Sequence, residues 1–271
     1  MRSAGVVPNR YVLPAVLKSC AILRKPKFGE SLHACAISFG LDSDLYTGNA
    51  LMNFYCKMGG CRNDRKLLDE MPSRGLGARN ANNMGASTMD SVWRLFDGMV
   101  ERDVVSWNTV IGGNVESGLY EEALAMVRQM THVGLRPDSF TLSTVLPIFA
   151  ESGSVSNGKE THGYAIKNGM DREAFMGSSL IDMYAKCTLL EYSYHVMGRV
   201  ANPDAIAWNS IIAASVQNGQ FDDGLGFFRQ MLQWKLRPMA VTFSCLLPAC
   251  AHLNTLHLGK QLPWFYYQRR V

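Results

Sequence analysis

The chain repeats itself. The segment Val105-Ser-Trp-Asn-Thr-Val-Ile returns as Ile206-Ala-Trp-Asn-Ser-Ile-Ile, so that Trp107 falls on Trp208, 101 residues further on. Arg128-Gln129-Met130 falls on Arg229-Gln230-Met231, Arg136-Pro137 on Arg237-Pro238, and Gly158-Lys159 on Gly259-Lys260 with the same offset. Leu180-Ile-Asp-Met-Tyr-Ala-Lys matches Leu51-Met-Asn-Phe-Tyr-Cys-Lys, and His162 matches His33, at an offset of 129, which leaves 28 additional residues in the earlier copy. These have a visible origin, because Lys66-Leu-Leu-Asp-Glu-Met and Arg94-Leu-Phe-Asp-Gly-Met are themselves 28 residues apart. The run from Gly75 to Ser87, rich in Gly, Asn and Ala, reads as a loop, which places an insertion near 75–90. Self-similarity at fixed periods is the mark of a repeat architecture and constrains the fold more tightly than any local pattern.

Each 101-residue period divides into helix-turn-helix units of 35, 35 and 31 residues: Val104 to Asp138, Ser139 to Glu173, and Ala174 to Asp204. In the first, Trp107, Val110 and Ile111 share one helix face, and Ala123, Val127 and Met130 share another after the break at Ser117-Gly118. Gly134 and Pro137 end the unit, Gly supplying a left-handed residue and Pro forbidding continuation; both recur as Gly5 and Pro8. Each apolar stripe is too narrow to bury itself, and stacking of neighbours is what gives it a core. The expected fold is all-α, an α-solenoid superhelix of stacked helix-turn-helix repeats. No apolar stretch approaches the roughly 18 residues that span a bilayer, so a soluble chain with no membrane partner is expected.

The 35, 35, 31 cycle, with Trp-Asn-Thr-Val-Ile, Glu-Glu-Ala-Leu and Leu-Arg-Pro-Asp in its first unit, resembles the pentatricopeptide repeat family of land-plant organelles, and within it the subclass alternating standard, long and short motifs. Gly-Lys-Glu-Thr-His-Gly-Tyr-Ala-Ile-Lys-Asn-Gly (158–169) and Ser-Leu-Ile-Asp-Met-Tyr-Ala-Lys-Cys (179–187) resemble the long and short members. The resemblance covers residues 1–262 and implies a long motif at 10–44, a short one at 45–103 containing the insertion, standard at 104–138, long at 139–173, short at 174–204, standard at 205–239 and a partial long motif at 240–262, followed by a divergent tail at 263–271. Met1 aligns with Met130 inside a second helix, and Pro263 stands where His162 and His33 stand in the other copies, so the array reads as truncated at both ends.

In such families one base is read per helical repeat by two or three side chains. The resemblance implies that the fifth and last residues of a motif face RNA while the second packs on the base. Carried over, this pairs Asn108 with Asp138 for uridine, with Val105 stacking; Ser178 with Asp204 for guanosine, with Phe175 stacking; and Asn209 with Met239, where Asp is expected, for a looser pyrimidine preference. Asn49 pairs with Asp103 for a pyrimidine if the insertion loops out, Arg74 and Gly75 being the other candidates for that motif's last residue. The long motifs present Pro14 with Asp44, Ser143 with Glu173, and Ser244, none of which fits the pairing. A plainer account also exists: an Asn near a helix start satisfies local backbone, and Asp138 and Asp204 precede helices as N-caps. Trp107, Trp208, Tyr184 and the methionines read as packing groups.

No catalytic residue, metal or cofactor is expected. The zinc deaminase signature H-x-E with P-C-x-x-C is absent, as are dinucleotide, Walker and nucleophile-elbow motifs. The seven cysteines, Cys20, Cys35, Cys56, Cys61, Cys187, Cys245 and Cys250, include no CxxC pair and read as buried thiols in a reducing compartment. His33 and His162, at equivalent places, read as helix-packing groups. A net charge of +4 permits a polyanionic partner without demanding one.

The expected function is single-stranded RNA binding in organellar RNA processing or C-to-U editing-site recognition, with a deaminase-bearing or other organellar editing protein acting in trans. The mitochondrion or chloroplast is implied by the family alone, since no Arg/Ser-rich leader is visible. The alternatives are a protein-interaction scaffold, as in tetratricopeptide solenoids, whose constant 34-residue period and W-x₂-L-G-x₂-Y pattern are not seen here, and a truncated inactive relative.

Overall fold

The computed structural model describes residues 9–59 and 89–252. The loop expected at Gly75–Ser87, the first copy of the 28-residue duplication, Cys61, Gly5, Pro8 and the tail at 263–271 lie outside the described residues. All the regular structure among the described residues is helical: α1 Val12–Ile22, α2 Pro26–Ser38, α3 Leu45–Gly59, α4 at 89–98, α5 Val104–Glu116, α6 Tyr120–His132, α7 Ser139–Ser152, α8 Val155–Lys167, α9 Ala174–Lys186, α10 Leu190–Arg199, α11 Ala205–Gln217, α12 Phe221–Gln233 and α13 Ala240–His252. The chain is an all-α solenoid of helical hairpins, and no described helix is long and apolar enough to cross a membrane. It divides into two compact units, Met1–Thr141 and Leu142–Val271.

Local chemistry accounts for the hairpins. Asp103 holds an extended backbone ahead of α5 and its carboxylate accepts the Ser106 N–H at 2.8 Å, while the Asp103 N–H donates back to the Ser106 hydroxyl, a reciprocal cap on two otherwise unpaired donors. The helix ends at Gly118, φ +76°, where the Leu119 N–H returns to the Asn114 carbonyl at 2.8 Å. Left-handed backbone is cheap for glycine, so the chain reverses within two residues and α6 starts at Tyr120 with Glu121 and Glu122 beside its positive end. Helices α11 and α12 reproduce this arrangement around Gly219, and where Gly134 closes α6, Lys235 takes the same left-handed conformation after α12.

Within the first unit, α3 packs between α1 and α5, while α2 and α6 lie on the outer sides of α1 and α5. The edge of Phe96 on α4 meets the Trp107 ring at 4.8 Å. Within the second unit, α11 packs between α9 and α13, with α10 on α9 and α12 on α11. The first helices α3 and α11 are therefore flanked on two sides, and α5, α9 and α11 each bury more than half of their residues, whereas a second helix such as α6 buries little beyond Ala123 and Met130. The buried Asp171 carboxylate receives Arg199 Nε at 2.6 Å, tying the end of α10 to the turn after α8.

Histidine and tyrosine pair at equivalent places in the two units. His33 Nδ1 lies 2.8 Å from the Tyr55 hydroxyl, and His162 Nδ1 lies 3.0 Å from that of Tyr184. Burial holds both imidazoles below their ordinary value, outweighing the acidic neighbours Asp42 and Asp171; Arg199 adds to the lowering at His162. Burial first, then Tyr192 and Cys187, pushes the Tyr184 phenol up to about 12. A protonated His162 needs two acceptors, and its Nε2 is buried without one.

Because the unfolded imidazoles titrate at about 6.5 and the folded ones lower, the unfolded state binds more protons in that window. Thermal stability is expected to be full above about pH 6.5 and to fall as pH drops from there through the lowered folded values, with a flatter profile for His33→Gln/His162→Gln; a series of thermal melts between pH 8 and 5 checks this. Equivalent glycines give a second comparison. A methyl group on Gly29 would overlap the ring of Phe54, which is fully buried, whereas on Gly158 it would lie 2.7 Å from the sulfur of flexible Met183. In urea unfolding, Gly29→Ala is expected to cost about 1–3 kcal/mol and Gly158→Ala to stay within about 1 kcal/mol of the parent, helped by the better helix propensity of alanine.

Candidate nucleic-acid interface

The second residue of every expected motif is a large apolar side chain left in solvent. In the first unit these are Tyr11, Tyr46, Val105 and Phe140, and in the second Phe175, Ile206 and Val241, each between 52% and 69% exposed. Two places further along their helices, Trp107 and Trp208 are buried at 4% and 3%. A single exposed apolar residue is ordinary, but within each unit its return once per repeat at one helical position forms a ladder that the core does not require. Sequence reasoning singled out only Val105 and Phe175. The other five carried the same signal, an apolar residue standing just ahead of the buried stripe.

The fifth residues Asn49, Asn108 and Asn209 are turned toward the N-terminus of the next first helix. Asn108 is buried, and its Nδ2 donates to Asp138 Oδ1 at 3.1 Å while its Oδ1 accepts the Thr141 hydroxyl at 2.6 Å. Asp138 also caps α7, accepting the Thr141 N–H at 2.8 Å. The plainer capping role and the pairing with Asn108 therefore belong to one carboxylate. Asn49 reaches Asp103 across the insertion at 3.5 Å, at the limit of a hydrogen bond, and its Oδ1 is buried without a partner. Asp103 sits below its usual carboxylate value: burial is the largest single influence and raises it, but hydrogen bonds from Ser106 and Asn49 together outweigh that effect.

Ser178 and Asp204 are not joined by a hydrogen bond. The Ser178 hydroxyl donates to the Ala174 carbonyl of its own helix at 2.9 Å, because so short a side chain finds the i−4 oxygen nearer than the next repeat, and Asp204 caps α11 through the Ala207 N–H at 2.8 Å. In the long motif, Ser143 instead points its hydroxyl at Met176 Sδ, 3.4 Å away.

Asn209 lines a groove of about 350 Å³ in the second unit. Ile206 and Val241, two of the exposed rungs, also line it, together with Met239. A slot lined by two exposed aliphatic side chains and an amide has the chemistry to take a flat heteroaromatic ring. Met239 stands where Asp138 stands in the earlier copy and offers no carboxylate; Asn209 Oδ1 accepts the Thr242 hydroxyl at 2.6 Å.

Among the described residues no three His, Cys, Asp or Glu side chains gather in a way that could hold a metal ion. The thiols are less uniformly buried than their apolar neighbours suggest: Cys20 and Cys250 are buried, whereas Cys35, Cys56, Cys187 and Cys245 are only partly so. Burial, then Glu116, nevertheless pushes the Cys56 thiol up to about 12, against a smaller lowering by a backbone hydrogen bond.

The PPR repeat family model matches residues 102–151 and 203–252, the two stretches that carry the Trp-Asn helices. A pentatricopeptide repeat-containing protein of Arabidopsis thaliana is 50% identical over 271 residues, covering 97% of this chain, which spans 38% of that protein's length. A second Arabidopsis pentatricopeptide repeat-containing protein is 32% identical over 98% of this chain and 32% of its own length, and a third, named chloroplastic, is 31% identical over 95% and 28%. Among solved structures, the maize pentatricopeptide repeat protein PPR10 superposes with a TM-score of 0.54 at 16% identity, over 96% of this chain and 39% of that one. PPR10 in complex with an 18-nucleotide psaJ RNA element gives 0.57 at 18% identity, over 92% and 39%. The repeat pattern, the helical hairpins and these likenesses agree, and the chain belongs to the pentatricopeptide repeat family.

Proposed function

We propose that this chain binds single-stranded RNA, one base per reading motif, and that it serves organellar RNA processing, including C-to-U editing-site recognition, as a non-catalytic module with the chemistry supplied in trans by a deaminase-bearing or other editing protein. The observation that carries the reading is the slot in the second unit, where the Asn209 amide lies with the exposed side chains of Ile206 and Val241 along one groove. Bases stack on apolar faces irrespective of sequence, and an amide in the slot adds discrimination through the Watson–Crick edge. In this reading Asn108 with Asp138 selects uridine against Val105, Ser178 with Asp204 selects guanosine against Phe175, and Asn209 and Asn49 favour pyrimidines, Asn49 in concert with Asp103. The solved complex of PPR10 with an RNA element and the chloroplastic names of several relatives support the substrate class and the organelle.

The test is a binding titration of the chain against short RNAs ordered pyrimidine, U, any, G, pyrimidine from 5′ to 3′, beside a scrambled control, at two salt concentrations. Tighter binding to the ordered RNA is expected, weakening with salt as phosphate contacts are screened. Asn108→Ala is expected to lose about tenfold of the preference for U at the second place, the worth of one well-placed hydrogen bond. Equal, weak binding of both RNAs by a helical, folded chain refutes base reading.

A further inference from the structure

Resting on that reading of the slot, we infer that Thr242 is a specificity-determining positioning residue: its hydroxyl fixes the Asn209 amide so that the Nδ2 donor, and not the Oδ1 acceptor, faces the base, in place of the carboxylate that Met239 lacks.

An asparagine amide is nearly symmetric in shape and opposite in hydrogen-bonding sense at its two ends. Whichever end faces a slot decides whether the slot reads acceptors or donors, so something must break the symmetry. At Asn108 the Asp138 carboxylate does this, since it accepts only and lies 3.1 Å from Nδ2. The neighbouring Thr141 hydroxyl at 2.6 Å from Oδ1 adds to an orientation already decided. At Asn209 the equivalent residue, Met239, offers no carboxylate, and the one that does line the groove, Asp182, is paired with Lys186 at 2.8 Å; among the described residues Nδ2 has no hydrogen-bond partner.

Thr242 supplies the missing asymmetry. It is completely buried, and its oxygen receives the Met239 N–H at 2.9 Å while lying 2.6 Å from Asn209 Oδ1. The hydroxyl proton has one acceptor in reach, that Oδ1. Turning the amide over would leave the proton buried with nothing to accept it, a state strongly avoided in protein interiors. Oδ1 therefore stays inward, and both N–H groups of Nδ2 remain for the slot. Such a slot favours a base edge that presents an oxygen or nitrogen acceptor where the amide donates, and here it holds that preference without the carboxylate. The arrangement is not automatic at this position: the equivalent Ser106 commits its hydroxyl to Asp103 at 2.9 Å and leaves Asn49 Oδ1 unpartnered.

The experiment compares RNAs differing only at the last place of the ordered sequence, uridine against adenosine, for the parent chain and the variants Thr242→Val, Thr242→Ser and Met239→Asp/Thr242→Val, and a second pair differing only at the second place for the parent and Thr141→Val. The parent is expected to prefer uridine about tenfold. Thr242→Val, which keeps the shape and loses the hydroxyl, is expected to bring the two affinities within about twofold of each other. Thr242→Ser and the double variant, which restores the carboxylate, are expected to recover most of the preference. Thr141→Val is expected to leave the uridine preference at the second place largely intact, because Asp138 already orients Asn108. A merely structural role for Thr242 would lower both affinities together and give no recovery by Met239→Asp. If the parent binds the RNAs with its preference and Thr242→Val keeps it, or Thr242→Ser loses it as fully as valine does, the inference is overturned while RNA reading stands; if the parent binds no RNA, the functional reading falls and this inference with it.

Discussion

A carboxylate that caps a helix must face back along the axis toward the unpaired N–H groups of the first turn, and in this chain that geometric demand places a charged oxygen against the preceding repeat. Asp138 accepts the Thr141 N–H at 2.8 Å and the Asn108 amide at 3.1 Å with the same atom. Capping alone is worth about 1 kcal/mol. Because the cap fixes where each first helix begins, it also fixes which side chain of the previous helix it can touch. At this seam the start of α7 and the placement of the Asn108 amide both depend on that one carboxylate.

The second constraint is the division of labour between the two helices of a repeat. First helices carry most of the large buried side chains, among them Trp107, Ile111, Leu180, Ile181, Trp208 and Ile211. In their N-terminal turns the second residue of each motif is directed to solvent. An apolar residue at that spot gains nothing from the core, which is why the seven exposed side chains between Tyr11 and Val241 are better explained by a ligand than by folding.

Much of this was legible in the chain itself. Periods of 101 and 129 residues, the Gly and Pro punctuation and the 3.6-residue stripes suffice for an all-α array, because those signals depend on spacing alone. The candidate site residues were legible only through family resemblance, and their contacts differ: Asn108 meets Asp138, Asn49 approaches Asp103 at 3.5 Å, and Ser178 turns to its own helix. What spacing could not show was the direction of a hydroxyl. Thr141 and Thr242 look like ordinary helix-start residues in sequence, and only coordinates reveal that each donates to an amide in the previous repeat. The partial exposure of Cys35, Cys187 and Cys245 was hidden for a related reason, since apolar neighbours along the chain do not say which side of a helix a thiol occupies.

The shared atom at Asp138 also bears on how arrays of this kind are cut and joined. The amide at 108, the carboxylate at 138 and the hydroxyl at 141 come from two successive hairpins, so the smallest exchangeable piece is not a hairpin but the seam between two. Splicing at hairpin boundaries separates an amide from its orienting partners. Splicing within the second helices, where α6 buries only Ala123 and Met130, moves each seam intact. Recombination that breaks the chain in those outer helices transplants whole hydrogen-bonded seams, which makes the least conspicuous layer of the solenoid the one best suited to shuffling.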